Sequence, residues 1–427
     1  MSQFVEQGKE DLKRTGDHFV VYLKWMAIAL IIGGILGVVA AAFYHGLTFV
    51  TNVREKTHWL VFLLPAGGLL IAFLYNKLDK APLDGNNKGT NMVLAAVNSK
   101  EDVPLRMTFL IFISSMISHL FGASVGREGA ALQMGASIGN TIGKGFRLNE
   151  NDKRIAIMAG MAAGFGGIFG APITAAVFAM EVISVGVMYY AALLPCIVAS
   201  LTSMSVARAL GVHYVTYADI LIPEFTPFTA SMTMLLGVMC ALLSIVICVS
   251  LIVSEKVFQT VFQNTYVQIF VAGTMVSLAT LLVGNQTYNG LGAAAIAAAA
   301  AGQTVWYAFL LKLAFTAVSL AGGYRGGEII PSLFIGATFG CWMAPLLGMP
   351  ASLGAALGMI AVFCGVTNSP IAAFLMGMEL FRGKGMWFFG IAVAVSYMLS
   401  DYYGLYKSQL IIYSKYRSVY IRRRTNR

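Results

Sequence analysis

The chain has 427 residues, of which 58% are hydrophobic and only 11% are charged, and its mean hydropathy is +0.75. A soluble domain carries about 25% charged residues, so this composition excludes an ordinary water-soluble protein. The net charge of +10 accompanies apolar segments, which favours contact with anionic lipid over nucleic-acid binding. We therefore predict an integral membrane protein that lies in the lipid bilayer and binds no nucleic acid.

The N-terminal part of the sequence predicts a cytoplasmic segment followed by membrane helices. Residues 1–18 are a long polar start for a signal peptide, so residues 25–43 are predicted to be a retained first helix. Residues 59–75 and 232–254 are further apolar stretches of membrane-spanning length. Lys and Arg residues near both ends predict cytoplasmic termini, with a basic cytoplasmic tail at residues 411–427.

Two pairs of similar segments indicate an internal duplication. Residues 126–139 and 327–340 each begin with an acid near a glycine and end in a Gly-Ala-(Ser/Thr)-x-Gly pattern. Residues 171–181 and 369–379 match at nearly the same separation along the chain, each with an acid nine residues after a proline. Two matches in the same order predict two homologous halves.

The duplication predicts an all-α, polytopic membrane protein of two inverted-topology repeats, with broken helices meeting at a midmembrane anion site. We place one membrane domain at residues 19–410, with repeat one at about residues 19–215 and repeat two at about residues 225–410. Matched interruptions in two halves indicate a transporter site near the midplane, and helix N-termini suit an anion. Four small residues are expected only to allow close helix packing: Gly135, Gly139, Gly336 and Gly340.

Four acids in apolar surroundings are candidates for function, because a carboxylate inside a membrane is costly. They are Glu128, Glu181, Glu328 and Glu379. Glu128 opens a predicted broken helix, so its carboxylate can take the place of an anion when charged and leave when protonated. A structural pair with Arg127 explains it equally well. Glu181 and Glu379 occupy equivalent repeat positions and are expected to cap or pack helices.

Residues 124–135, with Gly-Arg-Glu-Gly at positions 126–129, resemble the gate segment of the CLC family of anion channels and transporters. Residues 404–408 resemble the segment before the last CLC helix, whose tyrosine closes the inner side of the anion path. The resemblance implies that Glu128 is the anion gate and exchanges a proton, and that Tyr406 lines the path. It also implies a homodimer with one pore per subunit in the plasma membrane.

The motifs are most similar to those of the fluoride-exporting CLC subgroup. Residues 89–93 read Gly-Thr-Asn-Met-Val, and residues 326–331 read Gly-Gly-Glu-Ile-Ile-Pro, close to the subgroup's Gly-Gly-Glu-Val-Thr-Pro. Val182 stands where chloride-type transporters have an inner proton glutamate, which the subgroup also lacks. The resemblance implies a proton pathway through Glu128 and Glu328. It further implies an anion-binding set of Thr90, Asn91, Gly126, Arg127, Gly129, Ile329, Ile330 and Tyr406.

The leading hypothesis is membrane transport of halide anions by proton-coupled antiport, with fluoride preferred over chloride. The alternatives within the family are a passive chloride channel, which the valine at position 182 suits, and a chloride/proton antiporter. A membrane enzyme needs a His-Glu-x-x-His zinc site or a serine with a well-placed histidine, and the five histidines supply neither. We expect no enzyme activity, cofactor or metal site, and the five cysteines are predicted to be free, buried thiols.

Overall fold

The structure of the protein is a computed structural model. It describes the backbone of residues 2–78, 89–99, 102–217 and 220–426, and the side chains of these ranges from residue 18 onward, Ser99 excepted. Within these ranges the chain forms sixteen α-helices, two short 3-10 helices and three strands. The predicted helical fold is confirmed, with the addition of a small sheet.

The helices form two series of eight. The first series comprises α1 Ser2–Lys56, α2 Leu64–Leu78, α3 Thr90–Ser99, α4 Arg106–Phe121, α5 Glu128–Gly145, α6 Glu150–Phe169, α7 Pro172–Glu181 and α8 Leu193–Ala209. The second comprises α9 Pro227–Val261, α10 Thr265–Val283, α11 Ala293–Ala300, α12 Ala308–Gly322, α13 Ile329–Leu346, α14 Ala351–Thr367, α15 Pro370–Leu380 and α16 Met386–Leu399. The 3-10 helices are His58–Leu63 and Tyr190–Ala192. The matching sequence segments begin α5 and α13, and form α7 and α15.

The three long apolar stretches found in the sequence lie in helices long enough to cross a membrane. Six such segments occur in the part of the chain that the structure describes: His18–Lys56, His58–Leu78, Tyr190–Ala209, Pro227–Val261, Thr265–Val283 and Ile329–Leu346. The other apolar helices have 10–17 residues, and α7, with 10 residues, is almost entirely buried in the protein. Short helices at membrane depth are tolerated where they are enclosed by protein, so the chain has the broken helices predicted for it.

Glycines bring α5 against α6 and α13 against α14 in the same way. A methyl group on Gly135 would collide with the carbonyl oxygen of Gly160, and one on Gly340 would collide with that of Gly354. Small residues permit this close backbone approach between membrane helices. The packing role predicted for the glycines is confirmed in both halves.

Glu181 and Glu379 each cap the helix that carries the other. The Glu181 carboxylate, at the end of α7, accepts hydrogen bonds from two backbone N–H groups in the first turn of α15, at 3.1 and 2.9 Å. The Glu379 carboxylate accepts two from the first turn of α7, at 3.0 and 2.8 Å. The predicted capping role is confirmed, and such a reciprocal exchange is expected of two halves related by a twofold axis.

The chain beyond Tyr406 forms strands, so the helix that the family resemblance implied after residues 404–408 is wrong. Strand β2 (Leu410–Tyr413) lies between β1 (Ser184–Val185), to which it is parallel, and β3 (Tyr420–Arg424), to which it is antiparallel. The β-branched and aromatic residues of this segment favour strands over a helix. Most of the basic tail therefore folds back as a hairpin against β1, the short strand that follows α7.

The five cysteines are buried and unpaired, as predicted: Cys196, Cys240, Cys248, Cys341 and Cys364.

Candidate anion site

The two Gly-rich segments of the repeats are joined to each other by their backbones. The Gly126 N–H donates to the Gly327 carbonyl oxygen at 2.6 Å, and the Gly327 N–H donates to the Gly126 carbonyl oxygen at 2.9 Å. A methyl group on Gly327 would collide with the Glu128 carboxylate, and this close approach requires glycine. The bridge therefore sets the N-terminus of α5 beside that of α13.

The Glu128 carboxylate is fully buried and accepts hydrogen bonds from both halves of the protein. Its Oε2 accepts from the Arg127 N–H at 2.8 Å, and its Oε1 accepts from the Ile330 N–H at 2.9 Å. Free N–H groups at helix N-termini bind anions, so the carboxylate lies where a small anion would receive the same hydrogen bonds.

Arg127 donates its backbone N–H to the Glu128 carboxylate, while no direct ion pair joins the two side chains among the described residues. Its guanidinium group lies over the ring of Tyr44, 5.7 Å from the ring centre. Of the two explanations that the sequence left open for Glu128, the geometry favours the occupied anion position over a structural ion pair.

Thr90 and Glu328 lie beside this position and line a cavity of about 500 Å³. Thr90 begins α3 and is 6% exposed, and a methyl group on Gly129 would lie 3.4 Å from its hydroxyl. Glu328 is half-buried and precedes the first residue of α13. The cavity is also lined by the ends of α2 and α9 and the start of α10, so water can reach both residues from one side of the protein.

Tyr406 is 1% exposed, and its hydroxyl has no hydrogen-bond partner among the residues that the structure describes. Buried hydroxyls are normally paired, so an anion in the path would satisfy this group. The flanking residues Leu405 and Lys407 line the same cavity as Thr90. The anion-binding roles of Thr90 and Tyr406 stay predictions, and the geometry is compatible with both.

Asn91 lines the cavity and also connects two distant parts of the chain. Its side-chain oxygen accepts a hydrogen bond from the Ser408 N–H at 3.1 Å. Its predicted role in anion binding is untested, whereas its contact with the loop that carries Tyr406 is direct.

Two further groups at this cavity were not found from the sequence. Gln133 is 3% exposed and lines the cavity from α5. Glu255, near the end of α9, forms an ion pair with Lys407, the residue after Tyr406. For Gln133, a polar residue within the apolar Gly- and Ala-rich segment at residues 129–136 was a usable sequence signal. No local pattern distinguishes Glu255 from an acid at a membrane boundary.

The family model described as voltage gated chloride channel matches residues 67–401. The chain belongs to the CLC family. It is 34% identical over 403 residues to a chloride/fluoride channel protein of Pseudomonas syringae pv. tomato. The match covers 92% of this chain and 88% of the relative. It is 24% identical over 412 residues to an H(+)/Cl(-) exchange transporter, ClcA, of Vibrio campbellii, covering 89% and 85%.

Solved CLC structures share the fold. The crystal structure of a CLC-type fluoride/proton antiporter is 32% identical, with a TM-score of 0.87 over 91% of this chain and 98% of that one. A slow cyanobacterial Cl-/H+ antiporter is 17% identical, with a TM-score of 0.78 over 88% and 94%. The family resemblance found in the sequence is confirmed.

Proposed function

We propose that this CLC protein is a proton-coupled halide antiporter that prefers fluoride over chloride and lies in the cell membrane. The main support is that the Glu128 carboxylate accepts hydrogen bonds from backbone N–H groups at the N-termini of α5 and α13. A charged carboxylate competes with an anion for these groups. A protonated Glu128 side chain is neutral and binds these N–H groups weakly. When Glu128 takes up a proton, its side chain therefore leaves the position and an anion enters it.

The relatives support this assignment. The Pseudomonas syringae relative is named as a chloride/fluoride channel protein, and the structure with a TM-score of 0.87 is that of a fluoride/proton antiporter. The motif residues Asn91 and Glu328 of this chain agree with the fluoride-exporting pattern. Together they favour fluoride over chloride as the preferred anion.

Thr90 and Tyr406 supply hydroxyl donors to the anion on the cavity side of Glu128. Glu328, which reaches the same cavity, passes the proton between Glu128 and water. The cavity opens on the side where α2 ends and where the C-terminal hairpin lies, and the positive-inside rule makes this the cytoplasmic side. The anion path and the proton path therefore share Glu128 and diverge on its cytoplasmic side.

A passive chloride channel is the second candidate, and Val182 is the observation that favours it. This fully buried valine provides no carboxylate at the inner proton position of chloride-type transporters. The channel mechanism predicts halide movement without protons, whereas the proposed pathway through Glu328 requires them.

The deciding experiment uses the purified full-length protein in liposomes loaded with fluoride or with chloride, with the external pH recorded. We expect fluoride efflux to exceed chloride efflux and to be coupled to proton uptake into the liposomes. Glu328→Gln is expected to abolish the proton signal. Chloride efflux without proton movement would establish the channel instead, and empty liposomes provide the background.

We further infer a homodimer in which each subunit holds a complete path, without enzyme activity. Mass measurement in mild detergent tests the dimer, and a monomer would count against it.

A further inference from the structure

The C-terminal hairpin ends beside Tyr406. The Thr425 hydroxyl, which is 2% exposed, donates a hydrogen bond to the Tyr406 carbonyl oxygen at 2.5 Å. The Asn426 side chain accepts the Gly404 N–H at 3.0 Å and donates to the Gly404 carbonyl oxygen at 2.7 Å. Thr425 thus holds the backbone at Tyr406, and Asn426 holds it two residues earlier, at Gly404.

Gln409 holds the other side of the same loop. Its fully buried side chain donates to the carbonyl oxygens of Val182, at 2.9 Å, and Thr367, at 2.8 Å. Its own carbonyl oxygen accepts the Thr425 N–H at 3.3 Å. Thr425 therefore connects Tyr406 and Gln409, which is itself fixed to both halves of the protein.

The backbone, together with the packing of the buried ring, determines where the Tyr406 hydroxyl lies. A tyrosine side chain has few rotatable bonds, and its χ1 angle stays in a staggered well. The hydroxyl itself has no hydrogen-bond partner among the described residues, so no hydrogen bond at the tip fixes it. Any shift of the backbone at residues 404–409 is transmitted to the hydroxyl, and a misplacement of about 1 Å can cost about 100-fold in an active site.

We propose that Thr425 and Asn426 are positioning residues that hold Tyr406 at the inner end of the anion path. The C-terminal hairpin is thereby part of the transport mechanism in addition to a determinant of topology. This inference rests on the proposed function, because it assigns the Tyr406 hydroxyl to the anion path.

Thr425→Val removes the hydroxyl at nearly constant volume, and Thr425→Ser restores it. Thr260→Val is the matched control, since Thr260 is exposed and its hydroxyl bonds only within α9. We expect Thr425→Val to raise the number of halide ions moved per proton about fivefold, the effect of one ordinary hydrogen bond. Thr425→Ser and Thr260→Val should keep the wild-type ratio. If Val at this buried position prevents folding, Asn426→Ala tests the same loop.

Amide hydrogen exchange of residues 404–409 provides a second measurement that needs no transport. Exchange should be faster in Thr425→Val than in wild type or in Thr425→Ser. A wild-type ion ratio in Thr425→Val together with an altered one in Tyr406→Phe would overturn the inference and leave the antiport proposal intact. If the wild-type protein moves no halide, the antiport proposal fails, and unchanged exchange in Thr425→Val would then overturn the inference as well.

Discussion

Glu128 is expected to be indispensable for coupling, because its carboxylate is the group that both competes with the anion and accepts the proton. In Glu128→Ala the N–H groups of Arg127 and Ile330 remain, but no carboxyl group competes with the anion for them or exchanges a proton at that position. We predict that proton-coupled flux falls by about 100-fold or more, the usual scale for loss of an acid–base group. Proton flux measured with a pH electrode outside loaded liposomes gives the result.

Glu224→Ala is the control for Glu128→Ala, since Glu224 is exposed and lies outside the site. Normal proton-coupled flux in Glu128→Ala would refute the gate assignment.

Thr90 is the residue whose hydroxyl bears most directly on anion preference. Its replacement by alanine removes a hydrogen-bond donor at a position that is only 6% exposed. The loss should weaken fluoride binding more than chloride binding, because fluoride holds its hydration shell more tightly. We predict a fluoride-over-chloride preference about fivefold weaker in Thr90→Ala, the scale of one hydrogen bond. Competition between the two anions in the liposome assay measures it.

Thr90→Ser keeps a hydroxyl and should retain the preference. An unchanged preference in Thr90→Ala would exclude Thr90 as a selectivity ligand.

Motif residues could be predicted where the chemistry is local, and contacts between distant residues could not. The position of Glu128 at a helix N-terminus follows from its flanking glycines, and the structure shows it there. That Ile330 donates to Glu128 depends on how the two halves meet. The bond between Asn91 and Ser408 depends in the same way on the path of the chain's end.

The reciprocal caps predict that α7 and α15 depend on each other. Glu379→Ala leaves two backbone N–H groups at the start of α7 without their acceptor. Each unsatisfied buried group costs about 1–3 kcal/mol, so the free energy of unfolding and the melting temperature in detergent should fall. Glu379→Gln keeps one acceptor oxygen and should have an intermediate melting temperature.

The exposed Glu224→Ala again provides the reference for stability. A melting temperature of Glu379→Ala equal to that of wild type would show that α7 does not rely on this cap.

Helices were predictable from the apolar lengths and the duplicated segments, whereas the C-terminal hairpin was not. Residues 410–413 and 420–424 are short, and isolated strands of this length gain no stability alone. They form a sheet because Ser184 and Val185, far away in the sequence, provide a third strand. The resemblance of residues 404–408 had implied a helix at this place, and the pairing with Ser184 and Val185 explains why strands form instead.

We propose an orientation of the whole molecule in which α1 crosses the membrane once and α2 returns to the cytoplasmic side. Lys56, at the end of α1, and Ser418, in the hairpin, are both exposed and are expected on opposite sides of the membrane. The five native cysteines are buried, so a new surface cysteine gives the main labelling signal. We predict that a membrane-impermeant maleimide added outside intact cells labels Lys56→Cys and not Ser418→Cys.

Inside-out vesicles should reverse the labelling pattern. Labelling of Ser418→Cys from outside intact cells would place the C-terminus, and with it the cavity, on the extracellular side.

The independence of the subunits is the prediction that belongs to the assembled protein. Glu128 and Ile330, whose contact defines the anion position, lie on one chain, as do Thr90 and Tyr406. We therefore expect that a neighbouring subunit contributes no residue to the path. In a tandem dimer that joins one wild-type subunit to one Glu128→Ala subunit, proton-coupled flux should be about half that of the wild-type tandem, because only one of two equal pores keeps its acid.

The double-mutant tandem sets the lower limit. A mixed tandem as inactive as the double mutant would mean that the two subunits share a path or must move together, and that outcome would reject one complete path per subunit.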